Sequence, residues 1–377
     1  MIGQIDSNEC CGCGACVQKC PKRCISMRRN VQGFMHPVLD KSLCVKCGLC
    51  TQVCPILSNA DSLLPLTVLA AINNDQSVRN DSSSGGIFNL LATFVLKKGG
   101  VVFGVRFDEE WNAIHDFTDS VVNLKYFRGS KYIQSDMGYC FQKAEYFLKQ
   151  KRFVLFTGTP CQIAGLNSFL NKEYDNLLTV DLVCHGVPSP KVWKSYIDYS
   201  FGTRKQSIKG ISFRDKSKGW SNYGLKFKFD NVYHREDFKN NLYMRGYLSN
   251  FFLRSSCYNC LFKRRNSGSD VTIGDLWGIH HFLPELDDDK GVSLVMINSE
   301  KGKTAFNELT GSFTSCFVEY QNALKYNTAL EKSVRKPEQY NFFWKRFEKV
   351  GCVAIVDALN YKLPLAKRVL RKLKRLF

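Results

Sequence analysis

Apolar positions along this chain change period repeatedly, and each change marks an element. Leu66 to Ile72 is nearly all apolar, as a buried strand requires, and Ile87 to Lys98 places Ile87, Leu90, Leu91, Phe94 and Val95 on one helical face. Gly99-Gly100 ends that helix, and Val101–Phe107 returns to a strand pattern. The theme repeats with a helix over Gly138–Gln150, a strand over Phe153–Thr157, a turn at Gly158-Thr159-Pro160 and a helix over Cys161–Leu170. Leu177–Cys184 reads as another strand, and Pro190 suits the first turn of a helix reaching Tyr199. Strands are further predicted over Ile208–Phe213, Tyr223–Phe229, Val271–Ile273 and Val292–Asn298. This alternation predicts an α/β or α+β class with a mixed sheet.

Two regions break the pattern. Residues 1–58 hold few long apolar runs, and a polar linker from Ser58 to Pro65 separates them from the rest. At the other end, Leu365, Val369, Leu373 and Leu376 follow Pro364 at helical spacing, amid Lys367, Arg368, Arg371, Lys372, Lys374 and Arg375. That is a basic amphipathic helix, expected to dock on its own domain or a second copy, with peripheral contact to the inner face of a membrane as the alternative. No signal peptide or spanning helix is expected, and a cytoplasmic location follows from 17 cysteines in a chain lacking secretory features.

The cysteines change the picture most. Cys10, Cys13, Cys16 and Cys20 precede Pro21, and Cys44, Cys47, Cys50 and Cys54 precede Pro55. Both runs read C-x2-C-x2-C-x3-C-P, the spacing that in bacterial ferredoxins wraps a pair of [4Fe–4S] clusters. A zinc ribbon or a disulfide framework is the competing reading, and two full runs argue against both. The fourth cysteine of such a run crosses over, so Cys10, Cys13, Cys16 and Cys54 are expected on one cluster and Cys44, Cys47, Cys50 and Cys20 on the other. Cys161, Cys184 and the CxxC pair Cys257 and Cys260 form a second set; by spacing alone a cluster, a zinc site or free thiols are equally open. Cys11, Cys24, Cys140, Cys316 and Cys352 have no partner at ligand spacing and read as small buried hydrophobes.

The formal charge of +19 is corrected by these cofactors. Each cluster with its thiolates contributes about −2, leaving roughly +13 to +15 for three or two clusters. Acidic partners, anionic cofactors or a membrane surface are favoured, and nucleic acid is not, since no recognised nucleic-acid module occurs. Neither G-x-G-x-x-G nor a Walker A loop is present. Ser82-Ser83-Ser84-Gly85-Gly86 before a helix, Gly129-Ser130-Lys131-Tyr132 and Thr157-Gly158-Thr159-Pro160 remain as anion-friendly loops, although such stretches are ordinarily just turns. Clusters pass single electrons and most metabolites exchange pairs, so a flavin is the natural converter.

The phrases SSSGGIF (82–88), GSKYIQS (129–135), GTPCQIAGL (158–166), DLVCHGVPSP (181–190), CYNC (257–260) and SDVTIGDLWG (269–278) resemble the beta-subunit family of coenzyme F420 hydrogenase/dehydrogenase. The resemblance implies an FAD-binding domain that exchanges hydride with a deazaflavin or another organic substrate, and a [4Fe–4S] cluster within that domain. It makes Cys161, Cys184, Cys257 and Cys260 the ligands of that cluster. It makes Ser83, Ser84, Gly85, Gly86, Ser130, Lys131, Tyr132, Gly158, Thr159, Pro160 and Gln162 candidate flavin contacts. It assigns no catalytic residue and no role to Asp275 or Trp277, and it leaves His185 with a structural hydrogen bond.

The expected organisation is a two-cluster module over 1–58, family domains over 66–145 and 150–300, and an extension over 301–377 ending in the basic helix. The expected function is an iron–sulfur flavoprotein oxidoreductase between a one-electron carrier or redox partner subunit and a small-molecule hydride donor or acceptor, coenzyme F420 among them. The alternatives are a non-catalytic electron-transfer subunit of a larger complex, or a reductase of a polysaccharide or lipid-linked intermediate.

Overall fold

Residues 6–58 and 64–361 are described by the computed structural model. The cysteine-rich segment is built from two short helices, Ala15–Lys19 and Leu49–Gln52, and a hairpin of β1 (Ile25–Arg29) and β2 (Met35–Leu39). Gly14 and Gly48 precede the helices at φ 77° and 79°, a backbone that any side chain would strain. Pro21 and Pro55 follow closely and prevent either helix from continuing.

Beyond residue 64 the strands are β3 (Thr67–Asn73), β4 (Val101–Phe107), β5 (Ala113–Thr118), β6 (Val154–Gly158) and β7 (Leu177–Leu182). They continue with β8 (Gly210–Asp215), β9 (Gly224–Lys228), β10 (Tyr233–Asp237), β11 (Val271–Asp275), β12 (Ser293–Ile297) and β13 (Phe313–Phe317). Eight of them form one mixed sheet in the order β13-β3-β12-β11-β7-β6-β4-β5. β4, β6, β7 and β11 pair in parallel, and β3 runs the same way because two antiparallel steps through β12 separate it from β11. The helix Ile87–Lys97 covers one face through Leu91, Ala92 and Val95. Helices Cys140–Lys149 and Pro160–Leu170 cover the other, which explains the apolar runs at β6 and β7: both their faces are buried.

The smaller sheet, β10-β9-β8, lies against helices Pro190–Phe201, Leu242–Leu248, Tyr340–Val350 and Ala354–Leu359 around an aromatic core including Trp193, Phe213, Phe227, Tyr243 and Phe343. The predicted elements recur within a few residues of their expected limits. β5, β10, β13 and the β1–β2 hairpin fall outside the predicted set, because His115, Asp116, Arg235, Glu236 and Asp237 interrupt the apolar pattern in β5 and β10 and β13 is half exposed. The basic amphipathic helix expected after Pro364 lies outside the described residues.

The cysteine module packs on the large-sheet body. Ala15 is fully buried in the core beneath helices Cys140–Lys149 and Pro160–Leu170. The Gln18 carboxamide oxygen accepts from the N–H of Phe141 and Gln142 at 2.9 and 3.2 Å, and Lys19 Nζ donates to the Phe169 carbonyl at 2.8 Å.

Candidate functional site: two cysteine-lined cavities

Because β3, β4, β6, β7 and β11 run in parallel, the loops leaving them share one edge of the large sheet. Open α/β sheets hold their ligands at such edges. The loop after β6 carries Cys161 in the first turn of helix Pro160–Leu170, and the loop after β7 carries Cys184 and His185. The segment with Cys257 and Cys260 is tied to that second loop by a bridge between Pro188 and Leu253 and by the Arg254 N–H to the Val187 carbonyl at 3.0 Å.

These loops enclose a cavity of about 220 Å³ lined by Cys161, Cys184, Cys257 and Cys260. The four cysteines left open by spacing are thus brought to one space. Burial drives the Cys184 thiol up to about 12, and Cys257 and Cys260 are raised for the same leading reason. Lys263 Nζ donates to the Cys184 carbonyl at 2.6 Å and fixes the loop. His185 lines the cavity and bonds through Nε2 to Asn250 Oδ1 at 2.6 Å, a structural contact. Burial lowers the pKa of its imidazole.

A second cavity, of about 240 Å³, is lined by Cys10, Cys13, Cys16 and Cys54, with Met27, His36 and Pro37 among its other walls. Three thiols of the first run and the last thiol of the second therefore meet. The Cys16 thiol is pushed up to about 12, first by burial and then by Cys10 and Cys54. Cys20 lies apart from this group, its Sγ 3.4 Å from that of Cys24. Cys24 is raised to about 12 by the Cys20 hydrogen bond, burial and the nearby Cys20 and Cys44 thiols, which places the loops of Cys20 and Cys44 side by side. Cys47 is exposed, whereas Cys44 and Cys50 are half-buried.

Three residues that spacing did not single out belong to these sites. Cys11 lines both cavities, with its thiol between those of Cys13 and Cys161. Its position beside two ligand-spaced cysteines carried no signal, since a C-C doublet does not say which way the second thiol points. Arg254, directly before the SSCYNC phrase, is 1% exposed and lines the larger cavity. Asp181, in the DLVCHG phrase, accepts from Ser267 Oγ at 2.6 Å through one oxygen, while burial raises its pKa to about 6.

The anion-friendly loops lie along the same sheet edge. Ser83 Oγ accepts from the Ser130 N–H at 2.7 Å, which joins the first two loops. Gly85 lies so close to Ser293 that a Cβ would come within 2.8 Å of its nitrogen, and Ser84 Oγ donates to the Val292 carbonyl at 3.0 Å. Lys131 Nζ donates to the carbonyls of Tyr126 and Arg128, and burial lowers it to about 7; Tyr132 stacks on Tyr247 at 4.9 Å. After Gly158, the last residue of β6, Thr159 and Gln162 form a reciprocal cap with Pro160 in the first turn. Gln162 Nε2 then donates to Ser135 Oγ at 3.0 Å, which itself sits 2.9 Å from His115 Nδ1. Lys216 Nζ reaches the Arg79, Ser84 and Lys290 carbonyls at 2.8, 3.1 and 2.6 Å and clamps the serine loop.

Asp275 and Trp277 acquire a structural role. Asp275 accepts from Arg214 Nη1 at 2.9 Å and from Trp220 Nε1 at 3.0 Å, and Trp277 stacks on Trp220 at 4.7 Å. They fasten β8 and the segment following it to the end of β11.

A protein with a paired ferredoxin-type cysteine run on a mixed α/β body is an iron–sulfur electron-transfer protein. More particularly, residues 9–57 match the 4Fe-4S dicluster domain, and residues 151–315 match the family described as the C terminus of the coenzyme F420 hydrogenase/dehydrogenase beta subunit. The chain thus joins a segment that matches a dicluster domain to one that matches the C-terminal domain of that family. Among solved structures it is similar to a chain of the F420-reducing [NiFe] hydrogenase complex from Methanosarcina barkeri, studied as a xenon derivative. The identity is 16% and the TM-score 0.49, over 74% of this chain and 99% of that one. No curated protein matches the sequence. Among the described residues no helix is long and apolar enough to cross a membrane.

Proposed function

We propose that the chain is a three-cluster flavoprotein that passes electrons between a one-electron carrier or partner subunit and an organic hydride donor or acceptor. The observation that carries this reading is the meeting of Cys161, Cys184, Cys257 and Cys260 around one cavity, from three separate loops, beside the cavity of Cys10, Cys13, Cys16 and Cys54. Four thiols standing around a volume suit a cubane, which takes one ligand at each iron. In this assignment Cys20, Cys44, Cys47 and Cys50 hold the remaining cluster, and Cys47 makes it the one nearest solvent.

The proposed flavin is FAD. It would use Ser83 to Gly86, Ser130 to Tyr132 and Gly158 to Gln162, loops linked by the Ser83–Ser130 and Gln162–Ser135 contacts. When bound it supplies conversion between single electrons and a hydride. The chain's own residues hold the loops: Lys216 fixes the serine turn, and the Thr159–Gln162 cap fixes the start of the helix behind β6. Coenzyme F420 is the proposed hydride partner by family, with other organic substrates tested alongside it. The proposed organisation keeps a cluster module over 1–58, flavin-binding portions over 66–145 and 150–300, and an extension over 301–377.

Anaerobic reconstitution followed by iron and flavin quantitation tests this. Three cubanes and one flavin correspond to about twelve irons. About eight irons with no flavin would refute both the third cluster and the flavin reading. With three clusters present, Cys184→Ser and Cys257→Ser should each lower iron content by about one cluster while the signals of the other two persist.

A further inference from the structure

Arg254 is a buried cation whose acceptors among the described residues are all neutral. Its Nε donates to the Cys10 carbonyl at 2.7 Å, Nη1 to Gln134 Oε1 at 3.0 Å and Nη2 to the Met35 carbonyl at 3.0 Å. The His36 ring lies 3.2 Å from Nη2, and burial followed by the Arg254 charge lowers that imidazole to about 4. The guanidinium stands over the Phe34 ring at 5.5 Å. An isolated charge in a protein interior costs several kcal/mol unless an opposite charge compensates it. Arg254 lines the larger cavity, while Cys10 and His36, which it holds, line the other.

We infer that the missing counter-charge is the pair of iron–sulfur clusters themselves, and that Arg254 is a shared positioning residue that raises the reduction potentials of both. The inference rests on the proposed third cluster. Each cubane with its thiolates goes from about −2 to −3 on taking up one electron from the external carrier, with no bond broken and no proton moved. A fixed cation between them favours the reduced form of each. The hydrogen bond to the Cys10 carbonyl also locks the first ligand loop against the loop that bears Cys257 and Cys260.

EPR-monitored redox titration of Arg254→Gln and Arg254→Lys, with iron content measured in parallel, tests this. In Arg254→Gln two of three clusters should shift to lower midpoint potential, the solvent-near cluster should not, and Arg254→Lys should recover most of the shift. Unchanged potentials at full iron content would overturn it, as would equal shifts in both variants. Wild-type protein with 15N-labelled arginine covers the case in which the variants fail to fold. Weak 15N hyperfine coupling is expected at two reduced clusters, and its absence from both overturns the proposal. About eight irons in the wild type would instead remove the third-cluster reading beneath it.

A separate observation concerns the outer cluster. Around exposed Cys47, Leu43 and Val45 are 57 and 59% exposed, and Lys22, Arg23, Lys41 and Lys46 are exposed too. Asp40 is the single acidic residue between Cys20 and Leu57, against six lysines and arginines. We infer that this face docks an acidic one-electron carrier protein, its apolar centre closing over the cluster within a ring of cations. This too rests on the cluster assignment. The probe is stopped-flow reduction by an acidic two-cluster ferredoxin at increasing salt. The rate should fall steeply with ionic strength, and the double variant Lys41→Glu, Lys46→Glu should slow it at least about tenfold at low salt while dithionite reduction and iron content stay unchanged. A rate indifferent to salt in the wild type, or to charge reversal, overturns the docking face.

Discussion

Gly165 lies inside the helix Pro160–Leu170, where alanine would ordinarily be better by about 1 kcal/mol. Here the balance reverses. A Cβ at Gly165 would come within 2.8 Å of Cys13 Cβ, 2.9 Å of Cys13 Sγ and 3.4 Å of Phe141 Cε2. Carbon atoms in contact prefer about 3.5–4.0 Å, so the module must retreat by close to 1 Å. Overpacking of that kind costs about 1–3 kcal/mol, which outweighs the helix gain. Gly165→Ala should therefore be destabilised by up to about 2 kcal/mol, and, because Cys13 is a proposed ligand, its first cluster should be lost preferentially. Anaerobic guanidinium denaturation gives the stability, and iron content with EPR gives the cluster. A variant more stable by about 1 kcal/mol with full iron content would show that the close approach is not a constraint and that the module is free to move.

Three further outcomes follow from other contacts. Asp275→Ala strands the Arg214 guanidinium, whose side chain is 3% exposed, and should cost about 3 kcal/mol in chemical denaturation, the lower end for a broken buried pair because Asp275 is itself partly exposed. His115 is fully buried between Ser135 Oγ and the Thr157 carbonyl, and burial lowers it to about 4 from 6.5. The unfolded chain binds that proton first as pH falls, so stability is complete above pH 6.5 and drops by about 3 kcal/mol on descending to pH 4; His115→Gln should flatten this part of the stability–pH curve. Lys216→Met removes three hydrogen bonds to the loop carbonyls and should weaken flavin retention on gel filtration without changing iron content.

The strand and helix succession was legible because each element carries its own period, as at Ile87–Lys97 and Val101–Phe107. The paired cysteine runs were legible because ligand spacing within a loop is local. The set at 161, 184, 257 and 260 was not, since only the sheet edge brings its three loops together, and resemblance to a family had to supply what spacing left open. Arg254 gave no sign at all: its acceptor at Cys10 lies 244 residues away. Asp275 carried a recognisable phrase but no role until β8 of the smaller sheet, which supplies Arg214, was in place.

That separation between Arg254 and Cys10 also bears on how the protein is made. Cys10, Cys13 and Cys16 leave the ribosome early, yet the cavity they line is braced by a guanidinium synthesised 244 residues later. Contacts so distant in sequence form late, after much loop-closure entropy has been overcome. The N-terminal module thus emerges before its own support, while the rest of the chain is still being added. A truncated chain ending before residue 254 would keep the walls of that cavity, all drawn from residues 7–56, and lose the brace at the Cys10 carbonyl.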